Sequence, residues 1–168
     1  MKAINAIVYS ILFFLVACLP ACESPVQTII GEYSFQVSGQ VTKDDTQDMV
    51  LPNETGTMEI IHLDASNVLL TFSTTDGSAY TTQAMLNGNQ LELHPFSRTV
   101  VITYKTKESN ILGGLIELTE TEYYNTSVYG SGTIYDKTIV FDLRYFGEEL
   151  NGNKTITGNK IILLANKK

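Results

Sequence analysis

Apolar and polar residues alternate along much of the chain after residue 30, and this period of two is typical of half-buried β-strands. Segment 138–146 shows it most clearly. Its odd-numbered residues from Ile139 to Tyr145 are apolar or aromatic, whereas Asp142 and Arg144 lie between them. No long segment repeats apolar residues at the three- and four-residue spacing of a helix. The pattern therefore predicts an all-β protein.

The alternation predicts nine or ten strands, which occupy residues 31–42, 58–63, 68–72, 79–86, 90–94, 99–105, 115–135, 138–146, 154–156 and 161–165. Turn-forming pairs such as Asp76-Gly77 and Asn87-Gly88 separate neighbouring strands by only a few residues. Such tight connections favour antiparallel hairpins. Short antiparallel strands at this spacing form either a sandwich of two sheets or a closed barrel.

Four places are expected to interrupt the strands. Residues 43–53 contain several aspartates and a proline, and we expect an exposed loop there. Pro95 cannot donate to a strand ladder and should end its strand or place it at an edge. Gly130-Ser131-Gly132 predicts a bulge or sharp bend within the long segment 115–135, and Gly158-Asn159 predicts a turn.

Size and charge indicate a single acidic domain. The chain has 168 residues and a formal net charge of −7 at pH 7, with nine tyrosines and no tryptophan. Arg98 and Arg144 are the only arginines, so the sequence lacks the clustered cations that neutralise nucleic-acid phosphates. We therefore expect one domain and no nucleic-acid partner.

The first 17 residues have the profile of a signal peptide, with Lys2 followed by an uncharged apolar run. That run has about 15 residues, whereas a membrane-spanning helix needs about 20. Leu15-Val16-Ala17-Cys18 resembles the lipobox of bacterial lipoproteins, in which the cysteine is linked to diacylglycerol and becomes the mature N-terminus. The resemblance implies lipidation at Cys18, with Cys22 as the alternative. An ordinary secreted protein cleaved near Ala21 is the competing interpretation.

Beyond the lipobox, the chain is similar to lipocalin-like lipoproteins of Bacteroidetes. The shared features are a short tether, an opening Gly31-Glu32-Tyr33 strand, successive hairpins and the Gly-x-Gly motif at residues 130–132. Tyr33 stands where true lipocalins have tryptophan. The resemblance implies an antiparallel meander closing into a lipocalin-like β-barrel, with a β-sandwich as the alternative.

The same resemblance implies a domain organisation and a location. It places a signal peptide at residues 1–17, a lipid anchor and tether at 18–29, and a single lipocalin-like domain at 30–168. The mature protein would be attached through its N-terminal lipid to the bacterial cell envelope, at the outer membrane on its periplasmic or surface face.

Candidate catalytic and metal-binding residues are few, and we expect no enzymatic activity, cofactor or metal. Ser131 lacks the Gly-x-Ser-x-Gly spacing of a hydrolase nucleophile. His62 and His94 are the only histidines, and neither has a second metal ligand within a strand or a helical turn.

Two groups of carboxylates suggest further chemistry, although a structural role is favoured for both. Asp44, Asp45 and Asp48 resemble calcium ligands but lack the glycine and closing glutamate of a known loop. Glu120 and Glu122 share a strand face and could act as paired acids on a sugar, but we expect exposed surface charges.

Aromatic side chains provide the remaining candidate site. Six of them lie on strand faces that could line a barrel cavity, although packing in a filled core is favoured because a small barrel is normally filled by its own side chains: Tyr33, Phe35, Tyr104, Tyr124, Phe141 and Tyr145. We expect a non-catalytic, lipid-anchored protein that binds a small apolar or glycan ligand or a partner protein. The alternative is a structural accessory lipoprotein of an envelope complex.

Overall fold

The computed structural model describes residues 28–109 and 115–168, so the predicted signal peptide, Cys18 and Cys22 lie outside the described residues. The described chain forms ten strands: β1 (Gly31–Lys43), β2 (Gln47–Val50), β3 (Glu54–His62), β4 (Asn67–Thr74), β5 (Ala79–Asn87), β6 (Gln90–Leu93), β7 (Phe96–Ser109), β8 (Leu115–Tyr135), β9 (Thr138–Glu149) and β10 (Thr155–Lys167). The predicted all-β class is confirmed.

Eight of these strands form a closed antiparallel barrel in the order β1, β3, β4, β5, β6, β8, β9 and β10. The ring is closed by β1 and β10, which pair from Tyr33 opposite Lys167 to Lys43 opposite Ile156. β2 adds to β1, and β7 adds to β8. The structure therefore has the predicted barrel closure and not the alternative of two stacked sheets.

β6 and β7 both pair with β8 and are separated by His94-Pro95. β6 buries the odd-numbered Leu91 and Leu93, whereas β7 buries the even-numbered Val100 and Ile102. One extra residue at the break produces this change of phase, as in a β-bulge. Pro95 thus ends β6 as expected, and β7 continues along β8 with the opposite alternation.

Two predicted interruptions are wrong. The predicted loop 43–53 contains β2, and both Met49 and Leu51 are buried. The predicted turn at Gly158-Asn159 is instead an irregularity inside β10, where its pairing with β9 shifts between Gly158 and Ile161. Apolar residues on both sides of that glycine face the core, and this burial keeps the strand continuous.

The predicted bulge at Gly130-Ser131-Gly132 is also wrong, because β8 pairs with β9 in one constant register from Tyr124 to Tyr135. Gly132 has a packing role: a Cβ atom there would lie 2.6 Å from the Phe141 ring. The glycine therefore makes room for a buried aromatic side chain.

The barrel interior is filled by alternate residues of every strand, including the largest fully buried side chains Tyr33, Tyr124, Phe72 and Phe141. At the tether end, where β1 begins, the chain turns at residues 63–66, 88–89 and 136–137. At the opposite, distal end it turns at 44–46, 75–78 and 150–154. Among the described residues, no helix has the length and hydropathy to cross a membrane.

Candidate functional site

The barrel wall has a seam at the distal end, between the first half of β5 and the start of β7. β5 pairs with β6 from Ala84 to Asn87, and the His94 amide donates to the Gln83 carbonyl. Beyond that bond, no pairing between β5 and β7 occurs among the described strands. Side chains therefore close the wall where backbone hydrogen bonds stop.

A stack of aromatic rings lies under the seam. Tyr80 of β5 is stacked between Phe72 of β4 and Phe96 of β7, with ring centroids 4.7 Å and 5.5 Å apart. Phe35 of β1 meets the edge of Phe72 at 5.5 Å. The stack joins four strands across the seam and provides apolar contacts in place of a ladder.

Above this stack, Arg98 of β7 forms a two-pronged ion pair with Glu54 of β3. Arg98 Nη1 donates to Glu54 Oε1 at 2.9 Å, and Nη2 contacts Oε2. Arg98 also donates to the Tyr80 hydroxyl at 2.9 Å, and its guanidinium lies 4.6 Å from the centre of that ring. The Arg98 and Glu54 side chains are only 13% and 18% exposed, so the charges compensate each other largely away from water.

A cavity of about 530 Å³ adjoins the ion pair and opens at the distal end. Its polar lining comes from the loop before β3, the β4–β5 turn and the exposed edge of β7: Asn53, Glu54, Thr75, Asp76, Ser78, Ser97, Arg98 and Thr99. Tyr123 and Tyr145 provide aromatic lining. The volume lies in the range of small-ligand pockets.

Tyr145 of β9 is a lining residue whose polar group is not engaged within the part of the chain that the structure describes. Its side chain is buried, at 3% exposure, and its hydroxyl makes no hydrogen bond to any described residue. Burial raises the pKa of Tyr145 to about 12, with smaller effects from the charges of Arg98 and Glu54. A neutral phenol that can donate and accept is therefore held at the cavity wall.

A second polar cluster surrounds Glu122 of β8 at the same end of the barrel. Lys43 donates to Glu122 Oε1 at 2.8 Å, and Tyr124 donates to Oε2 at 2.6 Å. The Tyr104 hydroxyl accepts from Lys43 at 2.8 Å and lies 2.7 Å from Glu122 Oε1. Lys154, in the loop just before β10, also contacts Oε1. The Glu122 cluster thus joins β1, β7 and β8 to the loop that leads into β10.

The Glu122 carboxylate is ionised despite a side-chain exposure of only 6%. Burial by itself would raise its pKa, but hydrogen bonds from Lys154, Lys43, Tyr124 and Tyr104 outweigh this effect and lower the pKa to about 2. Among the described residues, no buried side-chain oxygen or nitrogen of this cluster lacks a partner. The expectation that Glu122 is an exposed surface charge is therefore wrong.

The six predicted cavity residues lie in three places. Tyr145 lines the cavity. Tyr104 and Tyr124 belong to the Glu122 cluster. Tyr33, Phe35 and Phe141 pack in the core, where the Tyr33 hydroxyl donates to the Ile29 carbonyl at 2.8 Å.

The sequence reasoning missed Glu54, Tyr80 and Arg98. The sequence did contain one signal for Arg98. It is one of two arginines, and it lies on the same strand face as the apolar residues Phe96 and Val100. The phase change at Pro95 hid that alternation.

The other candidate residues are placed as follows. Asp48 accepts from Thr42 at 2.9 Å and Asp44 accepts from the Thr155 amide at 2.8 Å, so both carboxylates support neighbouring strands. His62 and His94 are exposed. Within residues 28–109 and 115–168, no three of the acidic, histidine and cysteine side chains are grouped as metal ligands.

Comparison with known proteins gives a fold likeness only. The chain matches no protein-family model and no curated protein. It is similar to a solved structure of a redesigned beta barrel, with 11% identity over 89% of this chain and 99% of that chain and a TM-score of 0.41. It is also similar to the structure of EF1p2_mFAP2b bound to DFHBI, with 10% identity over 86% and 98% and a TM-score of 0.43. Likeness at this level carries no information on function.

Proposed function

We propose that the chain is a lipid-anchored, non-catalytic protein of the bacterial cell envelope that binds a small ligand in the seam cavity. The observation that carries the proposal is the Tyr145 hydroxyl, which lies at a cavity of about 530 Å³ without a hydrogen-bond partner among the described residues, on a side chain that is otherwise buried. A ligand hydroxyl at this position would replace water as the hydrogen-bond partner of the phenol.

The ion pair beside the cavity supports binding over catalysis. Both carboxylate oxygens of Glu54 accept hydrogen bonds from Arg98, and Oε1 also accepts from Tyr80 at 3.1 Å. Both oxygens of this carboxylate are committed to holding Arg98 and Tyr80 in place. The arrangement therefore suits a rigid recognition surface.

Anchorage rests on the resemblance of residues 15–18 to a lipobox and is tested separately. Cys18→Ser should abolish lipid attachment and release the protein from the membrane fraction, whereas Cys22→Ser should leave both unchanged. The mass of the N-terminal peptide gives the attached lipid directly. Lipidation of the Cys18→Ser variant at Cys22 would contradict the assignment.

Ligand binding is tested by native mass spectrometry of the full chain, extracted in mild detergent from the membranes of its own host. We expect a stoichiometric small-molecule adduct that is lost on denaturation. A bare protein mass would contradict a tightly held ligand.

One observation favours a second function, docking onto a larger envelope protein. Val50 and Leu115 are 72% and 74% exposed, and β2 is an edge strand of the described sheet. A heteromeric mass that persists in the same native spectrum would support this function.

A further inference from the structure

We infer that the seam cavity binds a neutral, hydroxyl-rich ligand of the class of a mono- or disaccharide. The inference rests on the proposed function, since it names the ligand class of the same cavity. Its basis is the charge balance of the lining, the state of each polar group there and the position of one tyrosine ring.

The charge balance disfavours an anionic ligand. The charged lining residues are Glu54, Asp76 and Arg98, which give two carboxylates and one guanidinium. Both terminal nitrogens of Arg98 already donate to Glu54. An incoming phosphate, sulfate or carboxylate would compete for this arginine and face the field of Asp76.

The polar lining disfavours a purely apolar ligand. Asn53, Thr75, Ser78, Ser97 and Thr99 are lining residues with hydroxyl or amide side chains. An alkyl chain would remove water from these groups and return no hydrogen bond. A sugar hydroxyl both donates and accepts, and so it can replace the water that it displaces.

The Tyr145 hydroxyl gives the ligand a specific contact within the barrel wall. The Tyr80 hydroxyl is already engaged, because it accepts from Arg98 and donates to Glu54. Tyr145 has no such partner among the described residues, and its hydroxyl is open to the cavity although the residue is only 3% exposed. One ligand hydroxyl at this position would satisfy the phenol.

Tyr123 provides a face for the apolar side of a sugar ring. It lines the cavity from β8, and its side chain is 49% exposed. Tyr80 cannot serve in this way, because both of its faces are covered by Phe72, Phe96 and Arg98. The cavity therefore has a buried phenol on one side and a half-exposed ring at its rim, a combination that suits a ligand with hydroxyl edges and an apolar face.

The test applies the full chain in mild detergent to an array of neutral and acidic mono- and oligosaccharides, and titrates the best neutral glycan by calorimetry. Neutral glycans should be retained in preference to carboxylated or sulfated ones. Tyr145→Phe should weaken binding about fivefold, because it removes one hydrogen bond and keeps the ring. The matched control Tyr129→Phe removes an exposed hydroxyl on β8 and should leave affinity unchanged. Thermal melting verifies that both variants are folded.

Four outcomes would overturn the inference. Preference for acidic glycans would contradict the charge argument, and unchanged glycan affinity in Tyr145→Phe would contradict the assigned contact. Labelling of the cavity by a photoreactive alkyl probe, without glycan retention, would indicate that the ligand is apolar and not a sugar. The proposed function, binding of a small ligand in this cavity, would then still stand. Absence of glycan retention and alkyl labelling, together with a bare native mass, would remove both proposals.

Discussion

Two polar clusters at the distal end each combine a glutamate, a basic residue and tyrosine but differ in what surrounds them. One joins Glu122 to Lys43 and two tyrosines, and the other joins Glu54 to Arg98 and Tyr80. β8 pairs with β7 at Glu122 and with β9 from Tyr124 onward, whereas no ladder joins β5 to β7 beside Arg98. Each buried polar group of the first cluster has a partner among the described residues. The interrupted ladder leaves the second beside a cavity.

Two tyrosine hydroxyls, one at each site, differ in whether they are hydrogen-bonded. Tyr124 donates to Glu122 at 2.6 Å, so its hydroxyl is committed to the fold. Tyr145 is buried to a similar degree but makes no hydrogen bond to any described residue. Hence we interpret the Glu122 cluster as structural and the seam as a binding site.

The largest expected effect is that of Glu122→Gln. The amide keeps the shape of the side chain but leaves Lys43 buried without its counter-ion, and we expect a loss of about 4 kcal/mol in the free energy of unfolding. Urea denaturation measures this loss. The control Glu117→Gln breaks an exposed pair with Lys105 on the same strand and should cost less than about 1 kcal/mol. Equal losses in the two variants would refute a structural role specific to Glu122.

The decrease in the free energy of unfolding at acid pH should also depend on Glu122. The pKa of Glu122 is about 2 in the fold, below its ordinary 4.5, so the unfolded chain binds more protons between these values. The carboxylate therefore contributes about 3 kcal/mol above pH 4.5, and this contribution is lost as the pH falls towards 2. The difference in unfolding free energy between the wild type and Glu122→Gln should shrink over that interval. A difference that is constant with pH would be inconsistent with this assignment.

Arg98→Met should have a smaller effect, of about 2 kcal/mol. It leaves Glu54 without its cation, but Glu54 lies at the cavity, where water can reach it. Arg144→Met is the matched control, because Arg144 is the other arginine and is exposed on β9. Differential scanning calorimetry measures the loss of stability in each of the two variants. A loss in Arg98→Met as large as that in Glu122→Gln would indicate that the seam is equally structural.

Most of the barrel could be predicted because alternation reports directly which face of a strand is buried. Tyr145 was predicted for that reason, within the regular segment 138–146. Glu54 and Arg98 were missed because both precede the strand starts predicted at residues 58 and 99. The bulge at His94-Pro95 reverses the buried phase, and the Thr-Gly-Thr segment before Met58 carries little alternation.

The two clusters also contain a feature that a local pattern cannot reveal. Lys43 and Glu122 are 79 residues apart, and Glu54 and Arg98 are 44 apart. Each pair meets only because the barrel closes, so neither pairing has a signal within a window of neighbouring residues. The prediction of exposed charge at Glu122 was wrong for this reason.

The most direct test of the distinction between the clusters is the unfolding free energy of two variants that each remove the hydroxyl of one buried tyrosine. Tyr124→Phe should cost about 2 kcal/mol, because it removes a hydrogen bond to a buried carboxylate. Tyr145→Phe should change the free energy by less than about 0.5 kcal/mol without ligand, since its hydroxyl has no partner among the described residues. Equal losses in the two variants would show that the Tyr145 hydroxyl serves the fold, and would contradict its assignment to a ligand.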